Sequence, residues 1–272
     1  MANYSYICVL TNEAFYPGLC SLAYSLKLVN SKYPLTVVVP DDVDEKLIIL
    51  IKKLQLNTIA MPSVKIPEEF LRNNTSPRWN QTFFKLQVFN LTQFEKIVFL
   101  DLDMIVVRNI DDLFTKPHMA AVAAGHCAHD SWTRLNSGLM VIEPNASLYS
   151  QLLQAIPAAG EERFQANYGF GDQDVINFCF PDWWENKELV LPETYNAMVS
   201  VFEDVCKAYG YPNVRVLHYA TLRKPWNCTA WRIYSRLAFA ICKGNINQAK
   251  MRYKYWRYVK KSCPDHLKYS WH

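Results

Sequence analysis

The stretch Lys96-Ile97-Val98-Phe99-Leu100-Asp101-Leu102-Asp103 constrains this chain more than any other. Its apolar run reads as a buried strand. The strand ends on Asp101, and alternation along an extended chain puts Asp101 and Asp103 on the same side. Two carboxylates leaving a buried strand, with no Lys or Arg between them, are costly unless a cation accompanies them. A hard divalent ion, held partly by a substrate diphosphate, meets that need. Two other readings compete. One is a pair of solvated turn aspartates or a helix cap. The other is an aspartyl phosphatase, in which the first Asp is the nucleophile. That chemistry expects the motif near the N-terminus and a small hydroxyl residue soon after it, whereas Met104-Ile105-Val106 follows here.

The segments around this strand alternate between period 2 and period 3.6. Residues 4–10 form a strand ending in Thr11-Asn12, followed by a helix over 16–30 with Leu19, Leu22, Ala23 and Leu26 on one face. Strands at 35–39 and 58–61 flank a helix at 44–54, so the sheet is largely parallel and covered on both faces. Ligands of such sheets sit beyond the carboxyl ends of the strands, and the ends at Thr11-Asn12 and at Asp101 share that crevice. No GxGxxG follows the first strand, which removes the main support for a dinucleotide oxidoreductase. Residues 62–78, with three prolines, read as a loop over the crevice. Residues 80–93 read as a helix with Lys85 at its apolar edge, a side chain that snorkels to water or serves as a cation for phosphate. Further on, 120–125 reads as a strand of small residues and 136–144 as a strand entered through Asn136-Ser137-Gly138. A helix follows over 147–156. Gly169-Phe170-Gly171-Asp172-Gln173-Asp174 opens a helix at 175–180, as a cap or as a platform facing a ligand. The strand 214–218 ends on His218, with Arg223-Lys224-Pro225-Trp226 in reach of the same point.

The net charge of +4 conceals an asymmetry, because residues 230–272 hold ten Lys and Arg against Asp265 alone, leaving 19 basic and 24 acidic residues before them. The eight cysteines form no CxxC pair and read as reduced residues, Cys8, Cys20, Cys179 and Cys242 among apolar neighbours. No apolar window is long enough to span a bilayer, and the first ten residues read as a strand rather than a signal peptide. A cytoplasmic protein is the expectation.

Taken in order, Leu10-Thr11-Asn12, Phe84-Lys85-Leu86, Phe99-Leu100-Asp101-Leu102-Asp103, Asn109-Ile110-Asp111-Asp112-Leu113-Phe114, Asn136-Ser137-Gly138, Gly171-Asp172-Gln173, Tyr195-Asn196, His218-Tyr219 and Lys224-Pro225-Trp226 form a series. That series resembles the glycogenin-like retaining glycosyltransferases, glycosyltransferase family 8. The phosphatase reading explains none of the other blocks. The resemblance implies one α/β domain over 1–229, Rossmann-like and of GT-A type, with a mostly parallel mixed sheet, followed by a basic helical C-terminal tail over 230–272. It implies a nucleotide-sugar site at Leu10, Thr11, Asn12, Arg78, Lys85, Asp101, Leu102, Asp103, Asn136, Ser137, Asp172, Gln173, His218 and Lys224. Asp101, Asp103 and His218 would hold Mn²⁺, or Mg²⁺, against the two phosphates of UDP-glucose or UDP-galactose. Lys85 and Lys224 would neutralise the leaving diphosphate, and Asp172 and Gln173 would face the sugar as catalytic groups together with Lys85. A catalytically silent nucleotide-sugar or glycan-binding module is the alternative on the same fold.

Two departures bear on the acceptor. Glycogenin glucosylates its own tyrosine, but residues 198–204 contain none. Asp172-Gln173-Asp174 looks like the Asp-Gln-Asp of bacterial lipooligosaccharide galactosyltransferases, while the His-Tyr and Lys-Pro-Trp blocks are like those of plant galactinol synthases. The expected acceptor is therefore a glycan, a lipid-linked sugar or a polyol. Residues 250–261 interleave six basic side chains with Tyr253, Tyr255, Trp256 and Tyr258. Such a segment packs on the domain or lies on the inner face of a membrane through 243–272. Nucleic acid is not expected, since nothing else in the chain points there.

Overall fold

The computed structural model describes residues 3–73, 77–165, 169–221 and 223–269, with side chains throughout except at 71–80 and 269. Strand β1 (Tyr4–Val9) leads into α1 (Tyr16–Leu28), β2 (Leu35–Pro40), α2 (Glu45–Lys53), β3 (Asn57–Met61) and α3 (Glu68–Asn73). A 3₁₀ helix (Pro77–Asn90) precedes β4 (Lys96–Leu100) and β5 (Met104–Val106). Then come β6 (Ala121–Val122), β7 (Asn136–Ile142), α4 (Ala146–Gln165), α5 (Asp172–Cys179), β8 (Ala197–Met198), α6 (Phe202–Tyr209), β9 (Val216–His218), α7 (Ala230–Cys242) and α8 (Ile246–Ser262).

The main sheet has the order β3-β2-β1-β4-β7-β6. β3, β2, β1 and β4 are parallel, and β7 and β6 join antiparallel. Period-2 alternation sorts each strand between two apolar layers. Tyr6, Cys8, Val37, Val39, Val98 and Leu100 face α1 and α2, while Ile7, Val38, Ile97 and Phe99 face α4, α5 and the 3₁₀ helix. A second sheet, β5-β9-β8, continues the chain past the end of β4. The order reverses direction at β1 and β4, which opens a crevice outside their carboxyl ends.

Several local expectations are corrected. The run 80–93 is not a regular α-helix but the 3₁₀ helix Pro77–Asn90, and every residue from 83 to 89 is buried rather than one apolar face. Lys85 sits inside that run, largely buried rather than extended into solvent. The strand 120–125 shrinks to Ala121–Val122. Glu193 accepts hydrogen bonds from the Gly125 and Cys127 amides at 2.8 and 2.5 Å, and Gly125 turns the chain with a φ of 99°. The helix 147–156 runs on through Pro157 to Gln165, since Ile156, Ala159 and Gly160 are buried beside Phe70 and Phe170, and that packing overrides the proline. The helix expected at 175 starts at Asp172, and the strand expected from 214 starts at 216. All eight cysteines are free, but Cys242 is exposed and Cys179 half-buried.

The C-terminal helices divide. α8 lies on α1 and sends Met251, Tyr255 and Val259 into the principal core, with Tyr255 edge-on to Tyr219 at 5.5 Å. α7 leaves Trp231 80% exposed and Phe239 67% exposed. Among the described residues no helix is long and apolar enough to cross a membrane.

Candidate active site

Asp101 lies one residue past β4, and its amide donates to the Gly138 carbonyl of β7 at 2.8 Å. The chain then turns rather than continuing extended, for the Met104 amide donates back to the Asp101 carbonyl at 3.1 Å. The two aspartates thus converge through a tight turn, not through strand alternation. β5 pairs antiparallel with β9 in a register that sets Met104 opposite His218. The Tyr219 amide donates to the Asp103 carbonyl at 2.8 Å, which locks the turn to the end of β9. One ligand atom each from Asp101, Asp103 and His218 consequently lie within 4.8 Å of one another.

The orientation of His218 follows from two buried asparagines. The Asn196 amide nitrogen donates to Asn136 Oδ1 at 2.8 Å, so its Oδ1 faces His218 Nδ1 at 2.7 Å and takes the ring proton there. Nε2 then faces the carboxylates, as a lone pair in the neutral form of the ring and as a donor in the protonated form. Nε2 stands 3.2 Å from Asp103 Oδ1. Two acceptors at that distance call for a positive charge between them, from a second ring proton or a metal ion. A fixed tautomer held from behind is how imidazole metal ligands are oriented.

Two lysines hold the carboxylates from outside. Lys85 Nζ is 3.0 Å from Asp101 Oδ1 and 3.0 Å from Asp172 Oδ2, and it donates to Ser137 Oγ at 3.2 Å. Ser137 Oγ donates in turn to Asp172 Oδ2 at 2.7 Å, and the Ser137 amide to Gln173 Oε1 at 3.1 Å. Lys224 Nζ meets Asp103 Oδ2 at 2.5 Å. Burial works against all these charges. Asp101 and Asp172 outweigh it at Lys85, whose pKa is raised, and Lys224 and His218 outweigh it at Asp103, whose carboxyl is held far below the carboxylate range. At Asp101 burial prevails over Lys85, and Asp103 adds to it, so that carboxyl is pushed up. Three carboxylates share two ammonium groups here, which leaves room for added positive charge. Two carboxylates and an imidazole suit Mn²⁺ or Mg²⁺ better than a thiophilic metal.

Of the residues singled out from sequence, Asp101, Asp103, His218, Lys85, Lys224, Asn136, Ser137, Asp172 and Gln173 form this one connected network. Thr11 and Asn12 line a separate cavity of about 390 Å³ at the ends of β1 and β2, with Asp42 and Asp44 opposite. Leu10 and Leu102 are buried, and neither side chain faces the network. Arg78 lies outside the described residues. Sequence reasoning gave no role to Asn196, fully buried behind His218, or to Thr82, whose Oγ1 accepts from the Asp172 amide at 3.1 Å. The signal for Asn196 was the Tyr195-Asn196 block of the ordered series, which carried no assigned role. Asp174 is a structural group: it caps α5 at the Gly171 amide and pairs with Arg134 and Arg163 at 3.0 Å each.

The model of glycosyl transferase family 8 matches residues 6–230. The chain belongs to that family. An uncharacterised protein of Acanthamoeba polyphaga mimivirus is 30% identical over 244 residues, covering 84% of each chain. Glycogenin-1 of Oryctolagus cuniculus is 30% identical over 238 residues, covering 84% of this chain and 67% of the other. Among solved structures, the glycosyltransferase GlyE of Streptococcus pneumoniae superposes with a TM-score of 0.61 at 18% identity over 99% of this chain. The chain spans 62% of that structure's length. The galactosyltransferase LgtC, solved with donor and acceptor sugar analogues, superposes with a TM-score of 0.58 at 14% identity, covering 92% of this chain and 95% of the other. These likenesses bear on fold. They agree with a family-8 glycosyltransferase domain of GT-A type, mixed α/β with a parallel-rich sheet and a helical C-terminal region.

Proposed function

We propose that this family-8 glycosyltransferase moves a hexose, glucose or galactose, from a UDP-sugar to a hydroxyl acceptor with retention of configuration. The observation that carries the reading is the convergence of Asp101, Asp103 and His218 at the crevice, flanked by Lys85 and Lys224. Those three would hold Mn²⁺, or Mg²⁺, which when bound supplies Lewis-acid stabilisation of the leaving diphosphate.

The rest of the chemistry belongs to the side chains. Breaking the anomeric C–O bond leaves negative charge on UDP, and the Lys224 ammonium, anchored on Asp103, is positioned to stabilise it. Lys85, shared by Asp101 and Asp172, ties the metal-side carboxylate to the sugar-side one and keeps both ionised groups in place. Asp172 and Gln173, set by Ser137 at the start of α5, offer oxygens to an oxocarbenium-like sugar. Asn136 and Ser137 complete the sugar's surroundings, and Thr11 and Asn12 serve the nucleotide. The catalytic region runs over 1–229, with 230–272 as an extension docked on it.

The acceptor is a glycan, a lipid-linked sugar or a polyol. The contact with the inner face of a membrane expected through 243–272 loses Tyr255 and Trp256, which are buried, and is carried instead by the exposed Trp231, Phe239 and Ile241 on α7, beside Arg232, Arg236 and Lys243. The protein should then sediment with anionic liposomes at low salt and be released as salt rises.

UDP release across a panel of UDP-hexoses, with and without Mn²⁺, tests the central reading. Metal-dependent release with UDP-glucose or UDP-galactose is expected. Release from no donor would replace the transferase with a nucleotide-sugar or glycan-binding module.

A further inference from the structure

A second pocket, of about 640 Å³, lies between the loop after Tyr219 and helices α7 and α8. Its walls are built from four arginines, Arg223, Arg232, Arg236 and Arg252, with Thr221, Gln248 and Phe239, and among the described residues no carboxylate lines it. Among the described residues none of the four arginines makes an ion pair. Glu203, which reaches Gln248, is already engaged by the Asn247 side chain and the Gln248 amide at 2.9 and 2.8 Å, closing the N-terminus of α8. Arg252 is set in place: it donates to the Tyr219 hydroxyl at 2.7 Å, and its guanidinium lies 5.6 Å from the centre of that ring. Three of the four also act on one thiol. Burial raises the pKa of the Cys228 thiol, and Arg236, Arg223 and Arg252 all pull it back down.

Four like charges around one concavity repel one another unless an anion joins them. Guanidinium forks match the paired oxygens of phosphate, whereas a solvated basic face spreads its charges outward. The volume suits a ligand of small-molecule size, and Phe239 gives it one apolar wall. The pocket also adjoins the reaction site. Tyr219 accepts from Lys224 through its carbonyl, at 3.4 Å, and from Arg252 through its hydroxyl, and Lys224 follows Arg223 in sequence.

We infer that this arginine pocket binds a phosphate group of the acceptor, so that the sugar transferred from UDP goes to a phosphate-bearing acceptor. The inference deepens the transferase reading and rests on it. The phosphate belongs either to a soluble sugar phosphate or to the headgroup of a lipid. In both cases the arginines hold the anion while the hydroxyl to be glycosylated extends from Arg223 toward the neighbouring Lys224.

The test is a calorimetric titration with inorganic phosphate of the protein already saturated with UDP and Mg²⁺, so that the donor site is filled. The preceding titration with UDP and Mg²⁺ reads the donor site alone, and a failure there is a separate result from a failure at the arginines. One phosphate should bind. The double substitution Arg232→Gln with Arg236→Gln should weaken it at least about tenfold, for loss of charge-assisted hydrogen bonds. The Arg→Lys pair should recover part of that loss by restoring charge without the fork. Arg232→Gln alone, at an exposed position, serves if the double variant melts early. Two further arms identify the source: a soluble sugar phosphate, and vesicles of phosphatidic acid against phosphatidylcholine. Binding in either arm that the Gln variants lose supports the site. Absence of phosphate binding in the parent protein, or binding that the variants leave undiminished, overturns it.

Discussion

Replacing Gly138 by alanine places one methyl group where the site has no room. Gly138 lies in β7 with ordinary extended backbone, so alanine meets no conformational penalty there. The added Cβ would stand 2.8 Å from His218 Cε1, 2.9 Å from Asn136 Oδ1 and 2.9 Å from Met104 Cε. The methionine methyl can swing aside. The imidazole cannot, because Nδ1 is held by Asn196 at 2.7 Å and Nε2 faces Asp103 at 3.2 Å, while Asn136 is held by the same Asn196. To reach an ordinary contact of 3.4 Å the ring must retreat by about 0.6 Å. Metal–ligand distances tolerate about 0.2 Å. The substitution should therefore weaken Mn²⁺ about 10- to 100-fold, as loss of an orienting partner does. Overpacking should also destabilise the fold by about 1–3 kcal/mol, at about 2–4 °C of Tm per kcal/mol. UDP release measured against Mn²⁺ concentration reads the first effect, and thermal melting of the metal-free protein reads the second. A variant whose half-saturating Mn²⁺ concentration and Tm both match the parent would refute the claim that Gly138 is there to admit His218.

Three other substitutions probe the same logic. Asp103→Asn should lower turnover at least about a hundredfold, since several kcal/mol of leaving-group stabilisation go with the metal; near-normal activity in Mn²⁺ would remove Asp103 from the ligand set. Lys85→Met leaves the buried Asp172 and the half-buried Asp101 without their shared cation and should cost up to about 3–5 kcal/mol in urea denaturation, the penalty of an orphaned buried charge. An unchanged midpoint would refute the stabilising role of that shared ion pair. Asp111 accepts from the Tyr6 hydroxyl at 2.8 Å, the Ser31 hydroxyl at 2.9 Å, and both the Lys32 amide and the Asn109 side chain. Asp111→Ala strands the buried Tyr6 hydroxyl and should cost about 1–3 kcal/mol. Burial works against the Asp111 charge, but Asn109, the Lys32 amide, Tyr6 and Ser31 overcome it and lower its pKa. A depressed acid contributes its stability above the unfolded value of about 4 and loses it as pH falls through the folded value. The gap between parent and variant should accordingly shrink in melts taken from about pH 5 downward, and a gap that widened would contradict the assignment.

The sequence by itself determined the elements whose burial is written in local periodicity. The run 97–100 had to be a central strand, and the strand–helix alternation before it had to build a parallel sheet, because period-2 and period-3.6 patterns bury different faces. It also placed Asp101 at the carboxyl end of that strand, and the ordered series of blocks carried His218 and Lys224 to the same site. How these residues meet was decided elsewhere. Asp101 and Asp103 converge through a turn held by Gly138 and Tyr219, and no local pattern distinguishes that turn from continued strand. Lys85 looked like a surface cation, yet its surroundings are set by Asp172, 87 positions away, and by a segment buried on every side. Asn196 fixes the imidazole of His218 only because β8 and β9 run parallel in one register. The basic tail shows the same division. Its composition was legible, but α8 joined the core and α7 stayed outside, because α1 offers an apolar surface to Met251, Tyr255 and Val259 and leaves Trp231 and Phe239 in solvent. Periodicity reports which face of an element is apolar, whereas the partner that covers that face is chosen by the packing of segments distant in the chain.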